Sequence, residues 1–468
     1  MKFYLTSIFL FITACFRVYA TDVEAGHLNE AVADLVPAST TTLSLSGSMD
    51  ARDFKFLADN FTALKSLDIS NVSILEYSSK DKLFGNFVHY PAGELPPCCF
   101  MGMGLTSVAL PSELSSIGEG AFAGCSELTT IALPSSLFKI GDYAFSGNAA
   151  LVSVTGGENL MKIGDYAFSK CPTLTSVPVE TVSEIGAYAF LGDAALKSIS
   201  FSVTLSSIGE GAFKESGLQT VDLSQATGLT TIGAWAFADN AELVSITLPE
   251  SVNTVGEGAF FYNSALNTIT LPQNVAIINN FAFGNVENIT NKDFLPAAIK
   301  TIGDYAFTDW ADIVNFVIPS SVEYIGSGAF RNWTALALLE AAPATPPALG
   351  EDVWEGVDKS GITLTTLPDA QNLYKSADQW KDFFFSAVEE NIANSDIKVS
   401  IIDNILTVLS PSELATVTIY DLSGIVVMHK NVSGNKTTLN LGGLNAKVYV
   451  VRCTLASGKT EFIKIGIK

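Results

Sequence analysis

Glu119, Asp142, Asp165, Glu210, Glu257 and Asp304 return at one position of a repeat whose copies are stepped by 22, 23 or 24 residues. Carboxylates at a fixed interval could line up as oxygen ligands for calcium, a hard cation. Each of them follows a glycine at the start of a turn, where an acidic side chain also caps backbone N–H groups and suits the local dipole. Ala187, Ala234, Asn280 and Ser327 interrupt the column. Capping is therefore the expected task, and no metal or cofactor is assigned.

The remaining chemistry-bearing residues are sparse. The three histidines, His27, His89 and His429, share no ligand-like spacing, so neither a zinc site nor a histidine-based catalytic site is expected. Gly118-Glu-Gly120 and Gly209-Glu-Gly211 resemble the opening of a dinucleotide fingerprint. The same text returns at Gly256-Glu-Gly258 and, as Gly326-Ser-Gly328, once more, so it belongs to the repeat. Cys125 and Cys171 stand at one repeat position two coils apart, too far for a disulfide if coils stack at strand spacing, and read as buried fillers. Cys98-Cys99 falls in a degenerate coil. An enzyme is not expected.

Two rows could instead bind. One residue after the acid stand Tyr143, Tyr166, Tyr188, Trp235, Phe281 and Tyr305, interspersed with Gly120, Gly211, Gly258 and Gly328. Such aromatics anchor a ligand or pack coil on coil. Ser107, Thr130, Ser153, Ser176, Ser198, Thr220, Ser245 and Thr268 each lie between inward apolar residues of a strand, and should form an uncharged hydroxyl stripe suited to an extended ligand. Small hydroxyl residues also simply favour closely stacked β positions.

The element that must position these rows is Ile140-Gly-Asp-Tyr-Ala-Phe145, the clearest of ten copies from Ile117–Phe122 to Ile325–Phe330. A fixed period of this length marks a solenoid. In the unit 128–150, Leu128-Thr-Thr-Ile-Ala-Leu133 alternates as a strand that Pro134 ends. Gly141 allows a tight bend, and Asp142 opens a helical turn. Leu128, Ile131, Leu133, Leu137, Ile140, Ala144 and Phe145 should point inward. One such coil buries too little to fold alone, so stability must come from stacking.

Residues 1–20, with Lys2, the apolar run Phe3–Ala14 and Val18-Tyr-Ala20, read as a secretory signal cleaved near Thr21. Ile12-Thr-Ala-Cys15 offers a lipid-anchored alternative at Cys15. Residues 21–92 read as a solenoid cap, with strands near 43–45 and 64–69 around a helix over 50–60. The array occupies 93–345. Ile278-Asn-Asn-Phe-Ala-Phe283 lacks its glycine, and Lys292-Asp293 predicts a bulge. Leu349–Trp354 is a last copy within a closing unit, 346–391. Residues 395–468 turn to short alternating strands at 405–408, 417–420, 448–451 and 462–465, and predict a β-sandwich-like domain. The fold class is thus α+β, mainly β: a solenoid of about 23-residue coils followed by that domain.

Composition narrows the partners. Lys and Arg number 26 against 48 Asp and Glu, for a net charge of -22, a surface that repels nucleic acid and anionic lipid. Apolar residues make up 48%, yet beyond the N-terminus no run reaches the roughly 20 residues of a membrane span. The excess must be buried inside coils, and membrane association would come only through a lipid on Cys15.

Repeated Ile-Gly-x-x-Ala-Phe joined to Leu-x-x-Ile-x-Leu-Pro resembles the BspA-like leucine-rich-repeat family of bacterial surface proteins. Thr345-Pro-Pro-Ala-Leu-Gly350, Leu373-Tyr-Lys375 and Gln379-Trp-Lys-Asp382 are similar to that family's closing unit. The resemblance, over about residues 40–390, implies extracellular adhesion, in some members to host matrix proteins. Tyr420-Asp-Leu-Ser-Gly424, 444–451 and Lys464-Ile-Gly-Ile-Lys468 resemble the C-terminal sorting domain of type IX secretion cargo, with Lys447 where that family has glycine and no Asn-Pro entry. The expectation is a secreted or surface-attached, outer-membrane-associated binding protein for a host or matrix protein, with a surface glycan as the alternative ligand. The hydroxyl stripe is its expected contact.

Overall fold

The computed structural model describes residues 20–286, 288–289, 294–385, 397–402, 404–421, 425–445 and 448–466. The signal segment, Cys15, Lys292-Asp293, Lys447 and the final two residues lie outside this set. The chain divides into two compact units, one up to residue 336 with 347–357, the other 337–346 with 358–468.

The first unit is a series of stacked coils held by parallel backbone ladders. Its first strands, Thr21–Val23, Thr42–Met49, Ser66–Ile74 and Ser107–Ala109, form one sheet in sequence order. The helix Ala51–Asn60 between two of them starts at a capping box, in which Asp50 accepts from the Arg52 N–H and Asp53 reaches back to the Asp50 N–H. Asp53 is buried and also accepts from the Gly26 and Leu28 N–H groups at 2.6 and 2.9 Å, tying the N-terminal residues to the cap.

Most of the later coils described have two strand segments. The longer one is the strand expected from alternation, as in Thr130–Leu133 paired with Ser153–Gly156. The second is two residues long, at the isoleucine of the repeat motif. It makes the more continuous ladder, six strands from Glu94–Leu95 to Ser207–Ile208 and six from Thr231–Ile232 to Ala348–Leu349. All seven inward residues of the unit 128–150 are buried, four per cent exposed or less.

The expected helical turn after the glycine is a run of tight turns with no helix. Gly141 is not there for a bend, since its φ is not positive; a Cβ would come 2.8 Å from the Ile117 carbonyl oxygen. Glycine at this position lets neighbouring coils approach. In the copy that lacks it, Asn279 Nδ2 donates to the Val255 carbonyl at 2.7 Å.

The phenylalanines form one buried column. Phe100, Phe122, Phe145, Phe168, Phe190, Phe213, Phe237, Phe260, Phe283, Phe307 and Phe330 stack at centroid separations of 5.1 to 6.1 Å. Phe54 of the cap helix closes it at one end, edge-on to Phe100, and Trp354 lies 4.7 Å from Phe330 at the other. Leu95-Pro-Pro-Cys-Cys-Phe100 is thereby a further copy of the motif, with Cys99 in the alanine position and buried.

In the second unit, residues 358–385 comprise the strand Thr363–Thr366, the helix Gln371–Ser376 and the short strand Phe384–Phe385, with Tyr374 edge-on to Trp380. The C-terminal residues build one five-stranded antiparallel sheet, curled as a half-barrel around Leu406, Val417, Ile419, Val451 and Cys453. Two of the expected strands are one continuous strand, Ile405–Tyr420, with register shifts where it bends. Lys398–Ile402 and Val426–Asn440 are additional strands, the second of them in largely polar text.

Candidate binding faces

The hydroxyl stripe lies on the longer strands. Thr130, Ser153 and Ser176 are successive rungs, as are Thr220, Ser245 and Thr268, and each is exposed or half-buried between buried apolar neighbours. Ser107 is paired in register with Ser66 and donates to its hydroxyl at 3.0 Å, so the row extends into the cap. A second outward row follows two residues later, Ala109, Ala132, Thr155, Asp222, Thr247 and Thr270. The stripe is interrupted at Ser198, which is exposed but in no strand. The structure therefore places seven of the eight on three separate ladders, Ser107 with the cap, Thr130 to Ser176, and Thr220 to Thr268, and leaves Ser198 on none. Salt bridges Lys65–Glu127 and Lys197–Glu242, both 2.8 Å, stand beside the stripe.

The aspartates of the acid column form a relay between coils. Asp142 Oδ1 accepts the Asp165 N–H at 2.9 Å, Asp165 the Ala187 N–H at 2.7 Å, and Asp304 the Ser327 N–H at 2.7 Å. Asn280 and Ser327, which break the acidic text, do the same work. The capping expectation is corrected in one respect: the N–H satisfied belongs to the next coil.

The residue after the acid has positive φ in every coil, 56° at Tyr143 and 57° at Gly211. Aromatic residues there stack along the solenoid, Tyr143–Tyr166 at 4.9 Å, Tyr166–Tyr188 at 5.0 Å and Phe281–Tyr305 at 5.2 Å. Where glycine follows an aromatic coil, the ring lies over it. Tyr188, Trp235 and Tyr305 occupy the space a Cβ would take on Gly211, Gly258 and Gly328. Tyr188 also donates to the Glu210 carboxylate, and this bond, with burial, pushes the phenol up to about 12. Tyr143, at the end of its stack, is 44% exposed.

The sequence reading missed the face formed by the two-residue strands. Its outward rungs Lys139, Lys162, Glu184 and Ser207 line an open depression together with Gly164, Asp165, Gly186 and Gly209. Lys162 pairs with Glu184 at 2.8 Å. Phe138 and Met161, one residue before the lysines, are 46% and 51% exposed. Two-residue strands give no alternation to detect, and only the aligned charges could have shown this face.

His89 is the one histidine with a Ser and a Glu nearby, Ser78 Oγ at 2.9 Å and Glu76 at 3.8 Å. Both contacts fall on Nδ1, and all three side chains are exposed, so no relay from acid through imidazole to hydroxyl exists. Among the described residues, no group of three or more His, Cys, Asp or Glu side chains gathers as metal ligands.

Compared with known proteins, the repeats match the profile of the BspA type leucine rich repeat region, in six copies over 93–219, 162–290 and 206–337, together more than half of the sequence. The chain belongs to that family. A leucine-rich repeat protein from Bacteroides ovatus shares the fold of this BspA-type chain at TM-score 0.57 and 21% identity, over 74% of this chain and 88% of that one. A leucine rich cell surface protein from Faecalibacterium prausnitzii aligns at 23% identity and TM-score 0.38 over 64% and 83%, and the pneumococcal vaccine antigen PcpA at 17% and 0.35 over 70% and 78%. No curated protein matches the chain.

Proposed function

We propose that this BspA-type protein is a non-enzymatic binding protein of the cell surface or the extracellular medium, which adheres to host or matrix proteins through the strand face of its solenoid. The observation that carries the proposal is the in-register hydroxyl array: Thr220, Ser245 and Thr268 as rungs of one ladder, with Asp222, Thr247 and Thr270 beside them. A flat, largely uncharged ladder presents hydroxyls at strand spacing without long side chains to immobilise, which lowers the entropy cost of binding an extended partner. Membership of a surface-protein repeat family supports the location.

A glycan is the second reading. It is favoured by the end ring of the Tyr143 stack and the depression edged by Lys139, Lys162 and Asp165, a mixture of aromatic surface and polar groups. A pull-down from solubilised host matrix, run beside a glycan array, separates the two. Enrichment of matrix proteins with a blank array supports the first; the reverse supports the second. Mass spectrometry of the mature N-terminus tests cleavage near Thr21 against a lipid on Cys15.

A further inference from the structure

Three residues after the column phenylalanines lies a second buried row, apolar at Met103 and Val286 and otherwise Cys125, Asn148, Cys171, Asp193, Ser216, Asn240, Asn263, Trp310 and Trp333. Most of these side chains donate to the phenylalanine carbonyl of the preceding coil. Cys125 reaches Phe100 at 3.0 Å, Cys171 reaches Phe145 at 3.2 Å, Asn240 reaches Phe213 at 2.9 Å, and the indoles of Trp310 and Trp333 reach Phe283 and Phe307 at 2.7 and 2.6 Å. They close carbonyls that the turns leave open, which a buried backbone requires.

Asp193 sits in this row with no exposure. Its closest counterpart is Asn263. Asn263 Oδ1 accepts the N–H of Asn240, and Asp193 Oδ1 accepts the N–H of Cys171, at 2.9 and 2.8 Å. The other amide atom of Asn263, Nδ2, donates to two carbonyls, Phe237 of the preceding coil and Phe260 of its own, both at 3.0 Å. The corresponding atom of Asp193 is Oδ2, buried and without a partner. By the repeat, it faces the carbonyls of Phe168 and Phe190. An ionised oxygen against carbonyl oxygens, away from water, is strongly unfavourable, whereas a protonated one reproduces the amide donor.

We propose that Asp193 is held as a neutral carboxylic acid whose Oδ2–H closes the phenylalanine carbonyl row, and that its ionisation loosens the solenoid at this coil. Burial drives its carboxyl well above the ordinary aspartate range, against the opposing bond from Cys171. The titratable group packed against it is the Cys171 thiol, itself pushed up by burial and by this carboxyl; the following coil brings Ser216. Lys170 and Glu215 in the flanking coils are exposed, and Lys214 pairs with Asp239 at 3.3 Å. The longer strand is weak on both sides of the acid: Ser176, in its own coil, makes only an isolated bridge to Ser153, and Ser198, in the next coil, lies in no strand.

The sign follows from linkage. The native acid holds its proton more tightly than the opened chain does, so the coil is fully stable below the ordinary aspartate pKa and loses stability as pH rises toward the native one. Opening of this region should grow up to about tenfold per pH unit across that interval.

The test compares the full chain with Asp193→Asn by hydrogen exchange at pH 5 and pH 8, corrected for intrinsic rates, and by infrared spectroscopy for a protonated carboxyl band. The expected result is that peptides over 171–213 lose protection at pH 8 relative to those over 240–283, that Asp193→Asn removes this loss, and that it removes a carboxyl band present near neutral pH. Equal pH dependence in both proteins, or a spectrum unchanged by the substitution, would overturn the proposal. A variant that fails to fold would also overturn it, since the asparagine is the isostere that Asn263 shows the fold accepts.

Discussion

Tyr188 covers Gly211: a Cβ built on that glycine would lie 2.3 Å from Tyr188 Cε1. The glycine has φ 57°, in the left-handed region. Gly211→Ala should therefore cost the backbone strain of about 1–2 kcal/mol and a similar amount for displacing the ring. Urea denaturation should show the second part relieved in a Tyr188→Ala background. Gly120→Ala, whose nearest neighbour would be Cys98 Sγ at 3.3 Å, should show the strain alone. Equal losses at both glycines would contradict the ring-over-glycine account.

The phenylalanine column predicts a large penalty in mid-array. Phe168 is fully buried between Phe145 and Phe190, at 5.2 and 5.4 Å. Phe168→Ala should destabilise by about 3–5 kcal/mol, read as a lower unfolding midpoint. A loss below about 1 kcal/mol would mean that the coils do not depend on the column.

Much of this was legible from the text, and the exceptions share a cause. The period, the inward residues and the phenylalanine column follow from apolar residues that recur in type and place. The carbonyl-closing row stayed hidden because Cys171, Asp193, Asn263 and Trp333 have no common hydropathy; what they share is burial and a donor. Gly141 suggests a bend in the text because sequence does not show how near Ile117 comes. The copy that holds Cys98-Cys99 is masked in the text because Pro96 occupies its glycine position. The hydroxyl stripe was located by alternation, but its break at Ser198 depends on coil geometry that Lys197-Ser-Ile-Ser200 does not announce.

The N-terminal cap predicts a local effect. Asp53 accepts three backbone N–H groups, from Gly26, Leu28 and Asp50. Asp53→Ala leaves them unpaired at roughly 3 kcal/mol or more in total. Limited proteolysis should then cut first within residues 20–50. Cleavage in the middle of the array instead would contradict the role given to this residue.

Thiol accessibility gives a folding readout. Cys98 is half-buried, while Cys99, Cys125, Cys171 and Cys453 are buried and free. Burial also pushes the Cys125 and Cys453 thiols up to about 12. A maleimide should modify Cys98 first in the native protein and the other four only on unfolding. Rapid native labelling of Cys125 would show that the coils open more readily than this packing implies.

The central claim is that the strand face binds. Thr130→Lys, Ser153→Lys, Thr220→Lys and Ser245→Lys combined change outward rungs and leave the core untouched, so the melting temperature should hold. Binding to immobilised, solubilised host matrix should fall at least about tenfold, the equivalent of 1.4 kcal/mol, while Lys139→Glu with Lys162→Glu on the other face should leave it unchanged. Full binding by the fourfold variant, with loss in the lysine variant, would contradict the account and move the site to the short-strand face.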